Sequence, residues 1–326
     1  MHECMIAVVI PCYKVSAQVA GVLARIGGEV SHIFVVDDGC PEKSGALVEN
    51  TCHDPRIRVL YHAQNQGVGA AVLTGYRAAM EACAEVIVKL DGDGQMDPAL
   101  IGSFAAPILA GDADYTKGNR FFEVESVRAM PWVRLAGNAA LSFLTKLSSG
   151  YWNLFDPTNG YTAISARVAA CLPLAKLSPG YFFESDILFR LNTLRAVVAD
   201  IPMRAQYAGE PSSLSVRREM PHFLCGNLRN LCKRIAYNYF LRNFNYASLE
   251  LLFGLPLLLF GILFGGSSWL SLRAQGAFAS AGTVMLAALP VIMGFQLLLG
   301  FAGYDMANIP SEPLQGRLPG AKRQTP

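Results

Sequence analysis

Short apolar runs recur at 5–10, 32–36, 57–61 and 86–90, and their length and β-prone content predict strands. Between them AQVAGVLARI, KSGALVEN and GVGAAVLTGYRAAMEACA carry small and apolar residues at helical spacing. This βαβαβ alternation predicts an α/β fold, a mostly parallel sheet with helices on both faces. Polar residues at the strand ends then gather in one crevice. Those residues are Pro11 and Tyr13, then Asp37 and Asp38, then Asn65 and Gln66, then Asp91 and Asp93. Beyond residue 130, PWVRLAGNAALSFLTKLSS and YFFESDILFRLN read as helices, AVVADIP as a strand, and DPTNGY as a turn-rich loop.

The last third differs in kind. Residues 248–266 and 281–304 are apolar runs without Lys or Arg, close to the roughly 20 residues that span a bilayer core. Glu250, near the start of the first, is expected to reach the headgroups, and Trp269 to sit in the interfacial belt. Arg217, Arg218, Arg229, Lys233, Arg234 and Arg242 precede the first run, Arg273 lies between the runs, and Arg317, Lys322 and Arg323 follow the second. The positive-inside rule then puts both ends in the cytoplasm. MPHFLCGNLRNLCKRIAYNYFLRN mixes aromatic with basic residues, as a helix lying on membrane lipids does. GILFGG is read as offering no glycine seam for helix packing, and a homo-oligomer is left open. The expected organisation is a catalytic domain over 1–215, a juxtamembrane region over 216–245, two transmembrane helices over 246–304 and a cytoplasmic tail over 305–326.

Composition agrees with a membrane part: 52% of the 326 residues are hydrophobic and 16% charged, with a mean hydropathy of +0.31. A net charge of +2 gives no sign of a nucleic-acid partner. The eight cysteines are scattered without zinc-site spacing, which suits a reducing compartment. MHECMIAVVIPCYKV has no basic leader and is read as a first strand. His2, His32, His53, His62 and His222 show no ligand spacing and are assigned to surface or core.

KLDGDGQMDP carries the chemistry. Residues two apart on a strand face the same way, so Asp91 and Asp93 aim at one spot, while Gly92 and Gly94 permit a tight backbone. An EF-hand is excluded, because Met96 stands where that loop needs glycine and Gly102 where it needs glutamate. GVGAAV lacks the third glycine of a dinucleotide fingerprint, and no GxxxxGK is present. What remains is an incomplete oxygen shell, the kind that holds Mg²⁺ or Mn²⁺ when substrate phosphates complete it. Asp97 is expected to cap the helix beginning at Pro98.

VVIPCYK, VVDDG, NQGVGAA, KLDGDGQMDP, KGNRF, DPTNGY and FFESDILFRL stand in the order of the family-2 inverting glycosyltransferases. With two spans added, the chain resembles their dolichol- or polyprenyl-phosphate branch, a likeness covering roughly residues 5 to 215. The resemblance implies a Rossmann-like GT-A domain joined to a transmembrane hairpin, working at the inner membrane in cell-envelope glycan synthesis. It further implies a UDP- or GDP-linked sugar donor, Mg²⁺ or Mn²⁺, and a lipid-phosphate acceptor. Pro11, Tyr13, Asp37 and Asp38 would line the nucleotide pocket, with Asn65, Gly67 and Lys89 beside them. Asp91 and Asp93 would bridge metal to diphosphate, assisted by Gln95. Arg120 matches a phosphate-contacting arginine; Arg134 would be a second, and Arg217 and Arg218 could also face the acceptor phosphate. The departure is Val15, where the family usually carries an acidic residue.

The acceptor decides whether a base is needed. A phosphate monoester, with its second pKa about 6, is already an anion at neutral pH and needs positioning cations. A sugar hydroxyl needs a carboxylate within reach, and Asp156, Glu184 and Asp186 are available. Glu184 and Asp186 also fit the anion preference of a helix N-terminus. The spans favour a polyprenyl-phosphate acceptor. Transfer to a hydroxyl of a lipid-linked or cell-surface glycan, and a silent scaffold that binds nucleotide sugars, stay as alternatives.

Overall fold

The computed structural model describes residues 5–122, 132–204 and 216–319; the side chains of 132–136, 138 and 216–219 lie outside that description. It divides into two compact units, Met1–Leu231 with Pro310–Pro326, and Cys232–Ile309.

The first unit is built on β1 (Ile6–Cys12), β2 (Val30–Asp37), β3 (Ile57–Tyr61), β4 (Val86–Lys89), β5 (Tyr115–Asn119), β6 (Thr162–Ser165) and β7 (Val198–Pro202). They form one sheet in the order β3-β2-β1-β4-β6-β5-β7. All pairings are parallel except those of β6, which runs antiparallel to both β4 and β5. The helices are α1 (Val19–Leu23), α2 (Ser44–Thr51), α3 (Val68–Glu81), α4 (Ile101–Leu109), α5 (Trp132–Ser149), α6 (Ala166–Cys171), α7 (Phe183–Leu194) and α8 (Val216–Ile235).

The first four strands and the last are those the apolar runs predict. The strands β5, YTKGN, and β6, TAIS, are not, because their positions include Thr116, Lys117 and Thr162, all completely buried. Burial there comes from neighbouring strands and helices, which no local period reveals. Val8, Ile10, Val35, Val88, Ile101, Phe104 and Tyr161 belong to one core cluster; burying each aliphatic or Phe side chain is worth about 1.5–3 kcal/mol. Asp97 caps the turn at Pro98 by accepting from Ala99 N at 3.1 Å, as expected.

The segment after the hairpin does not trail away as the word tail suggests. Buried Asp114 accepts from Leu314 N at 2.7 Å and Gln315 N at 2.8 Å. Arg167 donates to the carbonyls of Gln315, Leu318 and Pro319. Residues 314–319 are thus strapped to the first unit.

In the second unit, α9 (Tyr246–Ala274) and α10 (Ala281–Ala307) have mean hydropathies of 2.1 and 2.2 and are long and apolar enough to cross a membrane. Asn245 and Ser280 cap their N-termini. Leu255, Phe260, Ile292 and Phe295 are about half exposed, so the helices present apolar surface outward.

Three expectations here need correction. Gly261 and Gly265 are four apart and do form a close-packing seam: a Cβ on Gly261 would stand 2.8 Å from Ala287 O, and one on Gly265 would stand 3.0 Å from Ala287 Cβ. Glu250 is only 7% exposed and packs against Gly300 within the hairpin instead of reaching outward. Arg234 is 2% exposed and forks onto Asp305 at 2.5 and 2.9 Å, where Tyr239 also donates at 2.6 Å. Its charge is therefore satisfied internally, while Arg229, Lys233 and Arg242 remain exposed.

Candidate functional site

At the tips of β1 and β2, Asp38 N donates to Cys12 O, tying the two strand ends together. The Asp37 carboxylate accepts from Cys40 N and Gly45 N, both at 2.7 Å, and so fixes the turn into α2. Asp38 accepts from Gln66 N at 2.9 Å and Gly67 N at 2.8 Å. Both carboxylates are 3% exposed, their charge spread over backbone amides. His62 adds a third donor to Asp38, Nδ1 to Oδ1 at 2.7 Å, while its Nε2 pairs with Thr74 Oγ1 at 2.9 Å.

This crossing of loops demands glycine twice. Gly39 has φ +62° and a Cβ there would lie 2.6 Å from the Gln64 carbonyl carbon; Gly67 has φ +100° and its Cβ would lie 2.6 Å from Pro179 O. Tyr13 is 42% exposed beside this turn in sequence, Pro11 is half-buried and Asn65 exposed. Val15, in the position that departs from the family pattern, packs against the core cluster. Burial pushes the Cys12 thiol far above its ordinary range, with Asp37 adding to the effect.

At the tip of β4 the sequence turns sharply through Gly94, φ +78°. Lys89, 2% exposed, places Nζ 3.0 Å from Asp91 Oδ1 and 2.9 Å from Glu184 Oε1. The other Glu184 oxygen faces Lys117 Nζ at 3.7 Å. Lys117 is completely buried and donates to Asn159 O. The register explains the grouping: Thr162 of β6 stands opposite both Lys89 of β4 and Lys117 of β5, so the three share one face of the sheet. Burial alone would lower the Lys89 pKa, but Asp91 and Glu184 outweigh it and the net shift is upward. For Lys117 burial wins over Glu184, and its pKa is lowered.

β4 ends at Lys89, so Asp91 and Asp93 lie in the loop beyond it and the expected strand alternation does not aim them; Asp93 instead accepts from Gln95 N at 3.0 Å in a local turn. Asp91 Oδ2 faces Gly160, where a Cβ would lie 2.8 Å from that oxygen, so only glycine leaves it clear. Among the described residues no group of three or more His, Cys, Asp and Glu could by itself hold a metal ion.

Beyond β5, Arg120 forks onto Asp156, Nε to Oδ2 at 2.7 Å and Nη2 to Oδ1 at 3.1 Å. Asp156 is 1% and Arg120 34% exposed at the side chain, so the guanidinium bridges a buried anion and the surface. Asn159 Nδ2 donates to Asp156 at 3.3 Å. Asp186 is completely buried. It accepts from Ser178 N at 3.0 Å, Arg190 Nε at 3.2 Å and Asn230 Nδ2 at 3.0 Å.

The structure thus brings Lys89, Asp91 and Glu184 together, joins Arg120 to Asp156, and sets Asp186 in a separate network under α8. Arg134 lies on α5 and Arg217 and Arg218 on α8, but their side chains fall outside the described residues. Sequence reasoning missed His62, Lys117 and Asn159. Lys117 and Asn159 sit inside the KGNRF and DPTNGY stretches; His62 ends a strand opposite Asp38, and only the sheet order could have signalled it.

Three comparisons bear on this arrangement. A UDP-N-acetylglucosamine–dolichyl-phosphate N-acetylglucosaminyltransferase of Methanococcus voltae is 26% identical over 64% of this chain and 88% of its own length. A polyprenol monophosphomannose synthase of Mycolicibacterium smegmatis is 30% identical over 60% of this chain and 75% of its own. The glucosyl-3-phosphoglycerate synthase of Mycobacterium tuberculosis, solved with Mn²⁺, UDP and phosphoglyceric acid, superposes with TM-score 0.53 at 19% identity. It covers 71% of this chain and 78% of that one, a likeness of GT-A fold. Residues 7–172, half of the chain, match Glycosyl transferase family 2, and the chain belongs to that family.

Proposed function

We propose that this glycosyltransferase moves a sugar, with inversion, from a nucleotide-sugar donor to a polyprenyl phosphate at the cytoplasmic membrane face. One observation carries the choice of acceptor: the three carboxylates singled out as a base, Asp156, Glu184 and Asp186, are already engaged. Asp186 accepts three hydrogen bonds in full burial. Glu184 is held between two ammonium groups. Asp156 is forked by Arg120. A hydroxyl acceptor needs a proton acceptor; a phosphate monoester needs a cation to steer it, and Arg120, one-third exposed, supplies one.

Asp38 and its amide cradle, with Tyr13 exposed nearby in sequence, would receive the nucleoside. Two hard carboxylate oxygens, with Gly160 leaving Asp91 Oδ2 clear, fit a divalent ion, Mg²⁺ or Mn²⁺, held by Asp91 and Asp93. Bound there, such an ion would neutralise the charge developing on the leaving diphosphate. The chain's own part is to hold the acceptor phosphate by Arg120 in line with the anomeric carbon, which turns a bimolecular attack into a positioned one. The names of the Methanococcus and Mycolicibacterium relatives support the lipid-phosphate acceptor. One compact unit contains the chain on both sides of the hairpin, which supports both ends lying on one membrane face.

The test is to incubate membranes bearing the full chain with radiolabelled nucleotide sugars, extract with organic solvent and treat the extract with mild acid. Lipid-borne label released by the acid, with free nucleoside diphosphate, is expected. Label confined to an acid-stable glycan would overturn the phosphate acceptor, and no release of diphosphate would favour a binding scaffold.

A further inference from the structure

Lys117 enters the reading above only as a partner of Glu184, yet a fully buried ammonium on an interior strand costs several kcal/mol unless it is compensated. Three strands explain its place. The antiparallel β6 inserts between β4 and β5 and puts Thr162 opposite both Lys89 and Lys117. Two lysines then stand two strands apart, roughly 10 Å between backbones, with their side chains on the same face. Glu184 reaches in from α7 and bridges them, Oε1 to Lys89 at 2.9 Å and Oε2 to Lys117 at 3.7 Å. Lys89 carries the chain on to Asp91 Oδ1 at 3.0 Å. Two ammonium groups and two carboxylates sum to zero charge. Tyr76, Tyr115 and Thr162, which surround this part of the sheet, are completely buried, so the bridge sits in an interior that screens charge less than water does.

We propose that the buried Lys89–Glu184–Lys117 bridge sets the charge that Asp91 and Asp93 present to a divalent ion, with Lys117 as a positioning residue. This rests on the metal reading above. With Lys117 present, Glu184 is shared and Lys89 stays available to neutralise part of Asp91. Without it, Glu184 falls to Lys89 alone, the cluster becomes net negative, and the ion is held more tightly. Removing the Glu184 charge does the reverse: the cluster becomes net positive and repels the ion.

Opposite signs are what a merely structural role does not produce. Mn²⁺ binding to the purified full chain in detergent is followed by the electron paramagnetic resonance signal of the free ion, with no substrate present. Lys117→Met should tighten Mn²⁺ binding, and Glu184→Gln weaken it, each by at least about fivefold, since a unit charge acts on a doubly charged ion through a poorly screening interior. Lys117→Met with Glu184→Gln restores neutrality and should return to near the wild-type value, and Lys117→Arg should keep it. Lys117→Gln, which removes the charge but keeps a polar tip, supplies the tightening arm should Lys117→Met not fold. A wild-type chain that binds no Mn²⁺ either alone or in a second titration with a nucleoside diphosphate added to complete the shell overturns the metal reading and this inference with it; binding seen only with the diphosphate moves the comparison of variants to that condition. A wild-type chain that binds Mn²⁺, with Lys117→Met and Glu184→Gln unchanged or shifted the same way, overturns the bridge alone.

Discussion

The two halves of the sheet hold their carboxylates in different ways. On the β1–β2 side, Asp37 and Asp38 are cradled chiefly by backbone amides of Cys40, Gly45, Gln66 and Gly67. On the β4–β6–β5 side, Asp91, Asp156 and Glu184 are held by the side chains of Lys89, Arg120 and Lys117. An amide cradle is part of the backbone and cannot let go. A side-chain cation can turn about its own bonds and be shared with a ligand. The first half therefore suits a constant moiety such as a nucleoside, and the second suits charges that change during transfer.

The largest expected effect tests the second half where a metal would enter. Asp93→Ala should lower lipid-linked sugar transfer by about a thousandfold, the size of several kcal/mol of lost charge stabilisation. EDTA should reproduce that loss in the wild-type chain. Full transfer in either case, read as label entering the organic phase, would show that metal plays no part.

Arg120→Ala comes next. It leaves Asp156 buried without its fork, a loss of about 1–2 kcal/mol after allowance for the partial exposure of Arg120. Thermal unfolding reads that loss. The acceptor KM should rise about tenfold, one charge-assisted hydrogen bond or so, while the donor KM stays put. Arg120→Lys keeps the charge but loses the planar fork, and should recover stability less than it recovers acceptor binding. A donor KM that moves with the acceptor KM would show that the two halves are not separable in this way.

The same contrast governs what could be read before folding. Strands β1 to β4 announce themselves because their apolar runs are local, and Asp37, Asp38, Asp91 and Asp93 lie at their ends. Asp97 caps its turn from two residues away, which the sequence DP already signals. Lys117 looks like a surface lysine until β6 is inserted beside it. Glu184 and Asp186 do lie in the first turn of α7, as a helix-terminal anion would, but their partners Lys89, Lys117 and Asn230 come from distant positions that the local sequence does not show. Gly261 and Gly265 stand four apart in GILFG, a small-residue spacing legible in the sequence itself. His62 stayed hidden because its partners Asp38 and Thr74 lie after β2 and on α3, distant in sequence.

His62 offers a finer cut within the first half. His62→Ala leaves Asp38 its two amide donors and removes two hydrogen bonds, to Asp38 and to Thr74, each worth about 1 kcal/mol. The unfolding midpoint should fall accordingly and the donor KM rise by about fivefold, with the acceptor KM little changed. An effect on acceptor binding would join Asp38 to the second half and dissolve the distinction.

The smallest effect belongs to Asp97, which lies within the DGDGQMDP run and might be taken for a third metal ligand. Its carboxylate accepts from Ala99 N at 3.1 Å, and its carbonyl, which any residue keeps, accepts from the Tyr161 hydroxyl at 3.0 Å. Asp97→Ala should therefore lower stability by about 1 kcal/mol, the usual worth of an N-cap, and leave transfer per folded molecule unchanged. Since Asp91, Asp93 and Asp97 share one short loop, equal losses on replacing Asp97 and Asp93 would mean that the whole run acts as a single carboxylate cluster. A loss in stability alone separates the cap from the site by chemistry that the spacing of the three acids does not reveal.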